Sequence, residues 1–162
     1  LPLQQIIDEI EIPQVIDYAC GAGHFLNEYA EQIKSFVAAK NGNLSDYYGA
    51  ITGIEKEYRL SKVSKVASFM YGQDDIRIIY ADALSNINEI KNNTFSVLVA
   101  NPPYSVKGFL ETLTEEERSK FELYSEVSDI AKNNSIETFF VERAAQLLKV
   151  GRDSRPVRKS LK

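Results

Sequence analysis

The sequence has few of the residues that form metal centres and disulfide bonds. Its 162 residues include one cysteine, one histidine and no tryptophan. The single cysteine, Cys20, excludes an internal disulfide and a multi-cysteine zinc site. The single histidine, His24, argues against a histidine-based metal site, so we expect no bound metal.

Long apolar runs and a surplus of basic residues are also absent. The apolar stretches are strand-sized, such as residues 96–100, whereas a membrane span needs about 18 residues. The 19 basic and 23 acidic residues give a net charge of −4, which is not the footprint of a stand-alone nucleic-acid-binding domain. With 44% hydrophobic and 26% charged residues, the chain has the composition of one globular domain and not of a disordered protein.

The two ends of the sequence differ from the rest. The chain begins Leu1-Pro2-Leu3, without an initiator methionine or a signal peptide, which we interpret as an excised domain or a processed fragment. The last 13 residues, 150–162, contain five basic residues and one acidic residue. We predict a core over residues 1–150 and a basic, disordered tail over residues 151–162.

Apolar residues follow strand-like and helix-like spacing in turn. The spacing predicts strands at 14–18, 47–54, 76–80 and 95–100, and helices at 25–39, 58–71 and 136–149. We expect the second helix to bury one apolar face, formed by Leu60, Val63, Val66, Ala67 and Met70. Residues 105–134 are expected to form a mobile connection with one or two short helices. Strands separated by helices indicate an α/β fold, with a parallel sheet and helices on both faces.

In such a sheet, ligands bind beyond the carboxyl ends of the strands. The first predicted strand ends near Asp17 and continues into a turn that contains Gly21 and Gly23. The two glycines let the backbone turn tightly and approach a ligand. The following helix offers free N–H groups to a carboxylate. On its own this pattern also fits a plain tight turn, because the third glycine of a dinucleotide fingerprint is absent.

Acidic residues follow the next two strands. Glu55 ends the second strand and can accept two hydrogen bonds from a ribose diol. Asp82 follows the third strand and can accept a hydrogen bond from the exocyclic amine of an adenine. Each also has a purely structural explanation, Glu55 as the start of a helix and Asp82 as part of a turn.

The tetrapeptide Asn101-Pro102-Pro103-Tyr104 follows the most hydrophobic strand. The two prolines stop the strand and remove two backbone donors. The carbonyls of Asn101 and Pro102 remain as acceptors beside the amide oxygen of Asn101, and together they can hold both hydrogens of an amino group. Tyr104 offers a flat face to an extruded base, and such stacking contributes roughly 1–3 kcal/mol.

In this order, these segments resemble the N6-adenine DNA methyltransferases of restriction–modification systems. Residues 17–26 are similar to motif I of that family, residues 101–104 to motif IV, and Glu55 and Asp82 to the acidic residues after strands two and three. Motif I before motif IV is the gamma arrangement, and the likeness is closest to modification subunits of type I systems and to fused restriction–methylation enzymes. The resemblance extends over about residues 14–151 and implies a Rossmann-like S-adenosylmethionine-dependent methyltransferase fold, truncated at its C-terminal side.

The resemblance implies S-adenosyl-L-methionine as cofactor and double-stranded DNA with a flipped adenine as substrate. The cofactor-binding residues that it implies are Asp17, Tyr18, Ala19, Cys20, Gly21, Gly23, Phe25, Leu26, Glu55, Lys56, Asp82, Ala83 and Asn101. The catalytic residues that it implies are Asn101, Pro102, Pro103 and Tyr104. The implied partners are a specificity subunit and a restriction subunit or fused nuclease, in the cytoplasm and away from any membrane. We interpret Cys20 as a packing residue, because its place in the cofactor loop argues against a nucleophile of the kind that cytosine C5 enzymes use.

The sequence also departs from the family. Tyr18 stands where proline is usual, and Ala22 where serine is usual. Residues 1–12 can hold only the trailing edge of an upstream motif, and the chain after about residue 150 does not resemble the next strand. We therefore expect an incomplete catalytic core that does not methylate DNA alone. The alternatives are an amino-group methyltransferase acting on protein glutamine, cytosine N4 or RNA, and an inactive assembly module.

Overall fold

A computed structural model describes residues 4–6, 10 and 12–149 of the chain. The predicted basic tail at residues 151–162 lies outside the described residues. Among the helices described, none is long and apolar enough to cross a membrane.

Within the described ranges, four parallel strands form a single sheet. They are β1 (Val15–Asp17), β2 (Ile51–Glu55), β3 (Arg77–Tyr80) and β4 (Val97–Leu98). Their order in the sheet is β3-β2-β1-β4, and every pair is parallel. Because β1 lies between β2 and β4, the strand order switches direction between β1 and β4. An open sheet of this kind binds ligands in the crevice beyond the carboxyl ends of those two strands.

Helices cover both faces of the sheet, as predicted. They are α1 (His24–Ala39), α2 (Leu44–Gly49), α3 (Tyr58–Met70), α4 (Glu115–Arg118) and α5 (Ile136–Leu147), with 3₁₀ turns at Phe109–Thr112 and Glu122–Glu126. Successive strand residues point to opposite faces. Val15 therefore packs with α1 and α2, whereas Ile16 packs with α5 on the other side.

All four strands are shorter than predicted, the second and fourth by three or more residues. Residues 47–49 belong to α2, because the side chain of Asn43 caps that helix by accepting a hydrogen bond from Ser45 N at 3.2 Å. The strand begins only at Ile51. The fourth strand pairs with β1 over two residues, since the N–H groups of Ser96 and Val97 both donate to the carbonyl of Gln14 and interrupt the regular ladder.

The long connection before α5 is part of the core. It contains the two 3₁₀ turns and the short helix α4, which agrees with the predicted short helices. Phe109, Leu110, Leu113 and Phe121 are buried in the same apolar cluster as α5. These side chains pack under α5, so the connection contributes to the core, while its mobility stays a prediction.

Helix α3 packs with the opposite face to the one predicted. Val63, Val66 and Met70 are 50%, 58% and 79% exposed. The buried residues of the helix are Ser61, Ser64 and Ser68. The predicted buried face was Leu60, Val63, Val66, Ala67 and Met70, and that prediction is wrong. The serines are small enough to let α3 approach the start of α1, where a Cβ on Gly23 would collide with Ser64 Oγ.

This packing predicts that substitutions on the serine face of α3 lower the stability of the fold, whereas substitutions on the exposed face do not. Ser64→Leu is expected to lower the free energy of unfolding by about 1–3 kcal/mol, because the larger side chain overpacks the contact with Gly23. Val66→Leu, the matched substitution on the exposed face, should change it by less than about 0.5 kcal/mol. Urea unfolding measures both values. Equal losses in the two variants would show that the serine face is not the packed one.

Candidate active site

The turn after β1 places Asp17 at the carboxyl edge of the sheet. Asp17 is fully buried, and its Oδ1 accepts a hydrogen bond from Ala19 N at 3.0 Å. Its Oδ2 is buried without a hydrogen-bond partner among the described residues. A buried carboxylate oxygen without a donor costs free energy. This atom therefore marks a position that a donor or cation of a ligand can satisfy.

Burial also changes the charge of this carboxyl group. Burial raises the pKa of Asp17 from its ordinary value near 3.8 to about 7. The hydrogen bond from Ala19 lowers this pKa, and the negative charge of Glu55 raises it further. A cation bound next to Oδ2 would favour the ionised form and reverse the effect of burial. The charge of Asp17 at neutral pH therefore depends on what lies next to Oδ2.

Glu55 connects the ends of β1 and β2. Its Oε2 accepts a hydrogen bond from Gly21 N at 2.8 Å, and its Oε1 accepts one from Glu57 N at 2.7 Å. Each carboxylate oxygen has a second lone pair, so Glu55 can still accept hydrogen bonds from a diol. A Cβ on Gly21 would find nothing within 4 Å. The backbone beside Glu55 is therefore open to a ligand.

The carboxylate of Asp82 is already engaged on both oxygens. Its Oδ1 accepts a hydrogen bond from Leu84 N at 3.0 Å, and its Oδ2 lies 2.6 Å from Lys56 Nζ. Lys56 Nζ also donates to Thr112 Oγ1 at 3.3 Å. An adenine amine would have to share Oδ1 or displace Lys56, whose side chain is more than half exposed.

The tetrapeptide at residues 101–104 lies at the same edge of the sheet as Asp17. Val99 N donates to Ile16 O at 3.0 Å, so the chain leaves β4 directly alongside the end of β1. Asn101 is exposed, and Tyr104 is 68% exposed. After the tetrapeptide, Ser105 N donates to Glu137 Oε2 at 3.2 Å, which attaches this loop to the first turn of α5. Most of the tyrosine side chain is therefore accessible to solvent.

Several residues that the resemblance places around the cofactor have buried side chains. They are Tyr18, Cys20, Leu26 and Ala83. The hydroxyl of Tyr18 donates to Phe140 O at 3.0 Å, on the α5 side of the sheet. These residues can reach a ligand through their backbone alone. Of the remaining predicted residues, Ala19 is half-buried, and Phe25 is exposed in the first turn of α1.

The structure confirms the interpretation of Cys20 as a packing residue. Its thiol is buried and lies where a Cβ on Gly53 would meet it. Burial raises the pKa of this thiol to about 12, which keeps it protonated and unreactive at neutral pH.

A buried polar network, which was not predicted from the sequence, lies behind the glycine turn. Asn27 Nδ2 donates to Gln73 Oε1 at 2.7 Å and to Ser68 Oγ at 3.2 Å. Gln73 Nε2 donates back to Asn27 O at 3.3 Å. A satisfied buried network of this kind fixes one arrangement of its elements, here α1 against α3. The signal in the sequence was the spacing of serines 61, 64 and 68, which places them on one face of a helix.

The two glycines of the turn are expected to differ in their tolerance of a side chain. Gly23 has φ +85° and no room for a Cβ, whereas Gly21 has φ +54° and open space around it. Gly23→Ala should lower the free energy of unfolding by about 3 kcal/mol, through left-handed strain plus overpacking. Gly21→Ala should lower it by about 1–2 kcal/mol, through strain alone. Denaturant titration compares the two, and equal losses would contradict the close contact between Gly23 and α3.

Comparison with known proteins identifies a family whose model matches most of the chain. The model of the N-6 DNA methylase family matches residues 3–154. No curated protein matches the chain.

Solved structures share the fold at low sequence identity. A protein of Listeria monocytogenes described as a class I S-adenosylmethionine-dependent methyltransferase has a TM-score of 0.65 at 16% identity, over 91% of this chain and 39% of its own. The M protein of the type I restriction enzyme EcoKI has a TM-score of 0.58 at 16% identity, over 84% of this chain and 27% of its own. A Vibrio vulnificus protein described as the modification subunit of a type I restriction enzyme has a TM-score of 0.54 at 18% identity, over 90% of this chain and 29% of its own. The chain thus spans less than two fifths of the length of each of these proteins.

Proposed function

Because the chain belongs to the N-6 DNA methylase family, we propose that it is the core of a site-specific DNA adenine-N6 methyltransferase, the modification part of a restriction–modification system. The observation that carries the proposal is the arrangement at the switch in strand order. There the unpartnered Oδ2 of Asp17 and the exposed tetrapeptide at residues 101–104 share one edge of the sheet. The chain covers part of the length of its solved relatives, so the whole reaction is proposed for the intact protein.

S-adenosyl-L-methionine is compatible with the residues around the glycine turn. Its methionine end carries positive charge, and Asp17 Oδ2 is a buried acceptor that needs a cation or donor. Glu55 would accept hydrogen bonds from the ribose, and Asp82 from the adenine amine after Lys56 moves aside. When bound, the cofactor supplies an electrophilic methyl group.

The residues of the tetrapeptide would hold the target base. The amide oxygen of Asn101 and the carbonyl of Pro102 would accept the two hydrogens of the adenine amine and so direct its lone pair. Flipping the base out of the duplex costs a few kcal/mol, and stacking on the exposed ring of Tyr104 offsets roughly 1–3 kcal/mol of that cost. The protein would contribute mainly orientation and a fixed electrostatic environment.

The charge of the chain bears on how DNA would be bound. A net charge of −4 is unfavourable for contacts with phosphates, which usually dominate DNA affinity. We therefore assign the basic DNA-binding surface to other parts of the intact protein or to a specificity subunit. A restriction subunit or a fused nuclease would complete the system.

The experiment that tests the proposal is labelled methyl transfer by the intact protein to DNA, RNA and protein acceptors. The expected product is N6-methyladenine in double-stranded DNA. Label in RNA, in protein glutamine or in cytosine N4 would favour the alternative amino-group substrates, and failure to bind the cofactor would favour an assembly module. Rapid methylation of DNA by the 162-residue chain alone would contradict the expectation that this chain is an incomplete catalytic core.

A further inference from the structure

A second cleft lies on the α5 side of the sheet, outside the edge that carries Asp17. Its volume is about 550 Å³. Its lining mixes polar and apolar residues, and two of the apolar ones, Leu84 and Phe121, belong to the cluster under α5. Three of its lining residues are cations, Lys91, Lys120 and Arg143, and none of its lining residues is acidic.

Arg143 is a buried cation without a counter-charge among the described residues. Its side chain is 9% exposed. Its Nε donates to Ala83 O at 3.0 Å, and its Nη1 donates to Asn92 Oδ1 and to Gln146 Oε1, each at 3.0 Å. All three acceptors are neutral, and Nη2 has no hydrogen-bond partner among the described residues. Burying a charge without an opposite charge is costly, so a bound anion would stabilise this arrangement.

The two lysines add to the positive charge of the cleft. Lys91 is exposed and makes no ion pair within the described ranges. Lys120 Nζ donates to Asn86 Oδ1 and lies 3.9 Å from a carboxylate oxygen of Glu116, which is largely exposed. An exposed pair at that distance is weak. The charge of Glu117 also acts on Lys120, so this lysine adds to the positive charge of the cleft without dominating it.

One further carboxylate lies at the rim. Glu117 Oε1 accepts a hydrogen bond from Asn86 N at 2.8 Å, and its Oε2 accepts hydrogen bonds from the backbone and hydroxyl of Thr114. These donors are neutral and favour the ionised form, so the rim carries the negative charges of Glu117 and Glu116. The cations of the cleft still outnumber the carboxylates at its rim.

We propose that this cleft binds a small phosphate-bearing anion. A guanidinium matches phosphate because its donors lie in one plane and can bind two oxygens at once. The amide groups at the cleft, such as Asn86, can add neutral hydrogen bonds. Because Arg143 is recessed, a small anion can reach it more easily than the backbone of a DNA duplex. The site borders the loop of Asp82, since Arg143 holds Ala83 O.

The test is a titration of the chain with inorganic phosphate at constant ionic strength and pH, followed by the side-chain amide resonances of Asn86, Asn92 and Gln146. The expected result is saturation with a Kd of about 1 mM or below. A parallel titration with adenosine monophosphate distinguishes free phosphate from the phosphate group of a nucleotide as the ligand. Equal affinity indicates free phosphate, and tighter binding indicates a nucleotide.

Two variants make the assignment specific. Lys120→Gln, which changes a side chain that is 46% exposed, should weaken binding about tenfold, as expected for loss of a charged contact. Arg143→Gln should abolish saturation, provided that its far-ultraviolet circular dichroism remains native. Lys62→Gln, on α3, is the matched control and should leave the Kd unchanged. Absence of saturation below about 20 mM phosphate, or equal affinities of wild type and Lys120→Gln, would overturn the proposal.

Discussion

Replacing Asn101 with alanine should reduce methyl transfer by the intact protein by about 100-fold or more. Asn101 lies at the carboxyl end of β4 and is exposed at the edge shared with Asp17. In the proposed reaction its amide oxygen accepts a hydrogen from the amine while positive charge develops on the nitrogen. Losing one such preorganised contact typically costs two to three orders of magnitude in rate, with a smaller effect on ground-state binding.

The measurement is single-turnover transfer with saturating cofactor and DNA. Asn134→Ala is a matched control, because Asn134 is exposed and lies in the connection before α5. It should transfer methyl groups at the wild-type rate. Tyr104→Phe should retain most of the activity, whereas Tyr104→Ala should lose the stacking face. Full activity of Asn101→Ala would exclude the proposed role of the tetrapeptide.

Replacing Asp17 with asparagine is expected to remove a large pH dependence from the stability of the chain. Asp17 has a pKa of about 7 when folded and an ordinary value near 3.8. Between these values the folded chain binds a proton that the unfolded chain has released. Its stability therefore falls as the pH rises from about 4 to about 7, and the contribution is lost above the folded value. A difference of about 3 in pKa corresponds to about 4 kcal/mol.

Urea unfolding of wild type and Asp17→Asn across this pH range measures the effect. Asparagine resembles the protonated carboxyl group, so the two proteins should have similar stability at about pH 4 and diverge by up to about 4 kcal/mol at about pH 8, with the variant more stable. Asp75→Asn, at an exposed position, should follow the wild-type curve. Parallel curves for wild type and Asp17→Asn would show that Asp17 is not buried as the structure indicates.

The order of strands and helices was predictable because local patterns determine it. Strand residues such as Val15, Ile16 and Ile54 are apolar on both faces, as a parallel sheet covered by helices requires. The orientation of α3 was not predictable in the same way. Its apolar stripe at Val63 and Val66 follows helical spacing, but close packing against Gly23 selects the serine face instead. Apolar periodicity carries no information about how closely two backbones approach.

The location of the candidate site was also predictable, and its contacts were not. Asp17 and Glu55 end their strands, and Asp82 and Asn101 lie two or three residues after theirs. Parallel strands bring such positions to one edge. The ion pair between Lys56 and Asp82 and the hydrogen bond from Arg143 to Ala83 join residues that are far apart in the sequence. No local pattern signals these contacts, because they depend on the packed positions of separate elements.

The central claim is that the turn after β1 binds S-adenosyl-L-methionine. Calorimetric titration of the chain with this cofactor, alongside Asp17→Ala, tests it most directly. We predict micromolar affinity for wild type, equivalent to about −8 kcal/mol, and loss of binding in a folded Asp17→Ala variant. Absence of binding heat with folded wild-type chain, or equal affinity in the two proteins, would contradict the account.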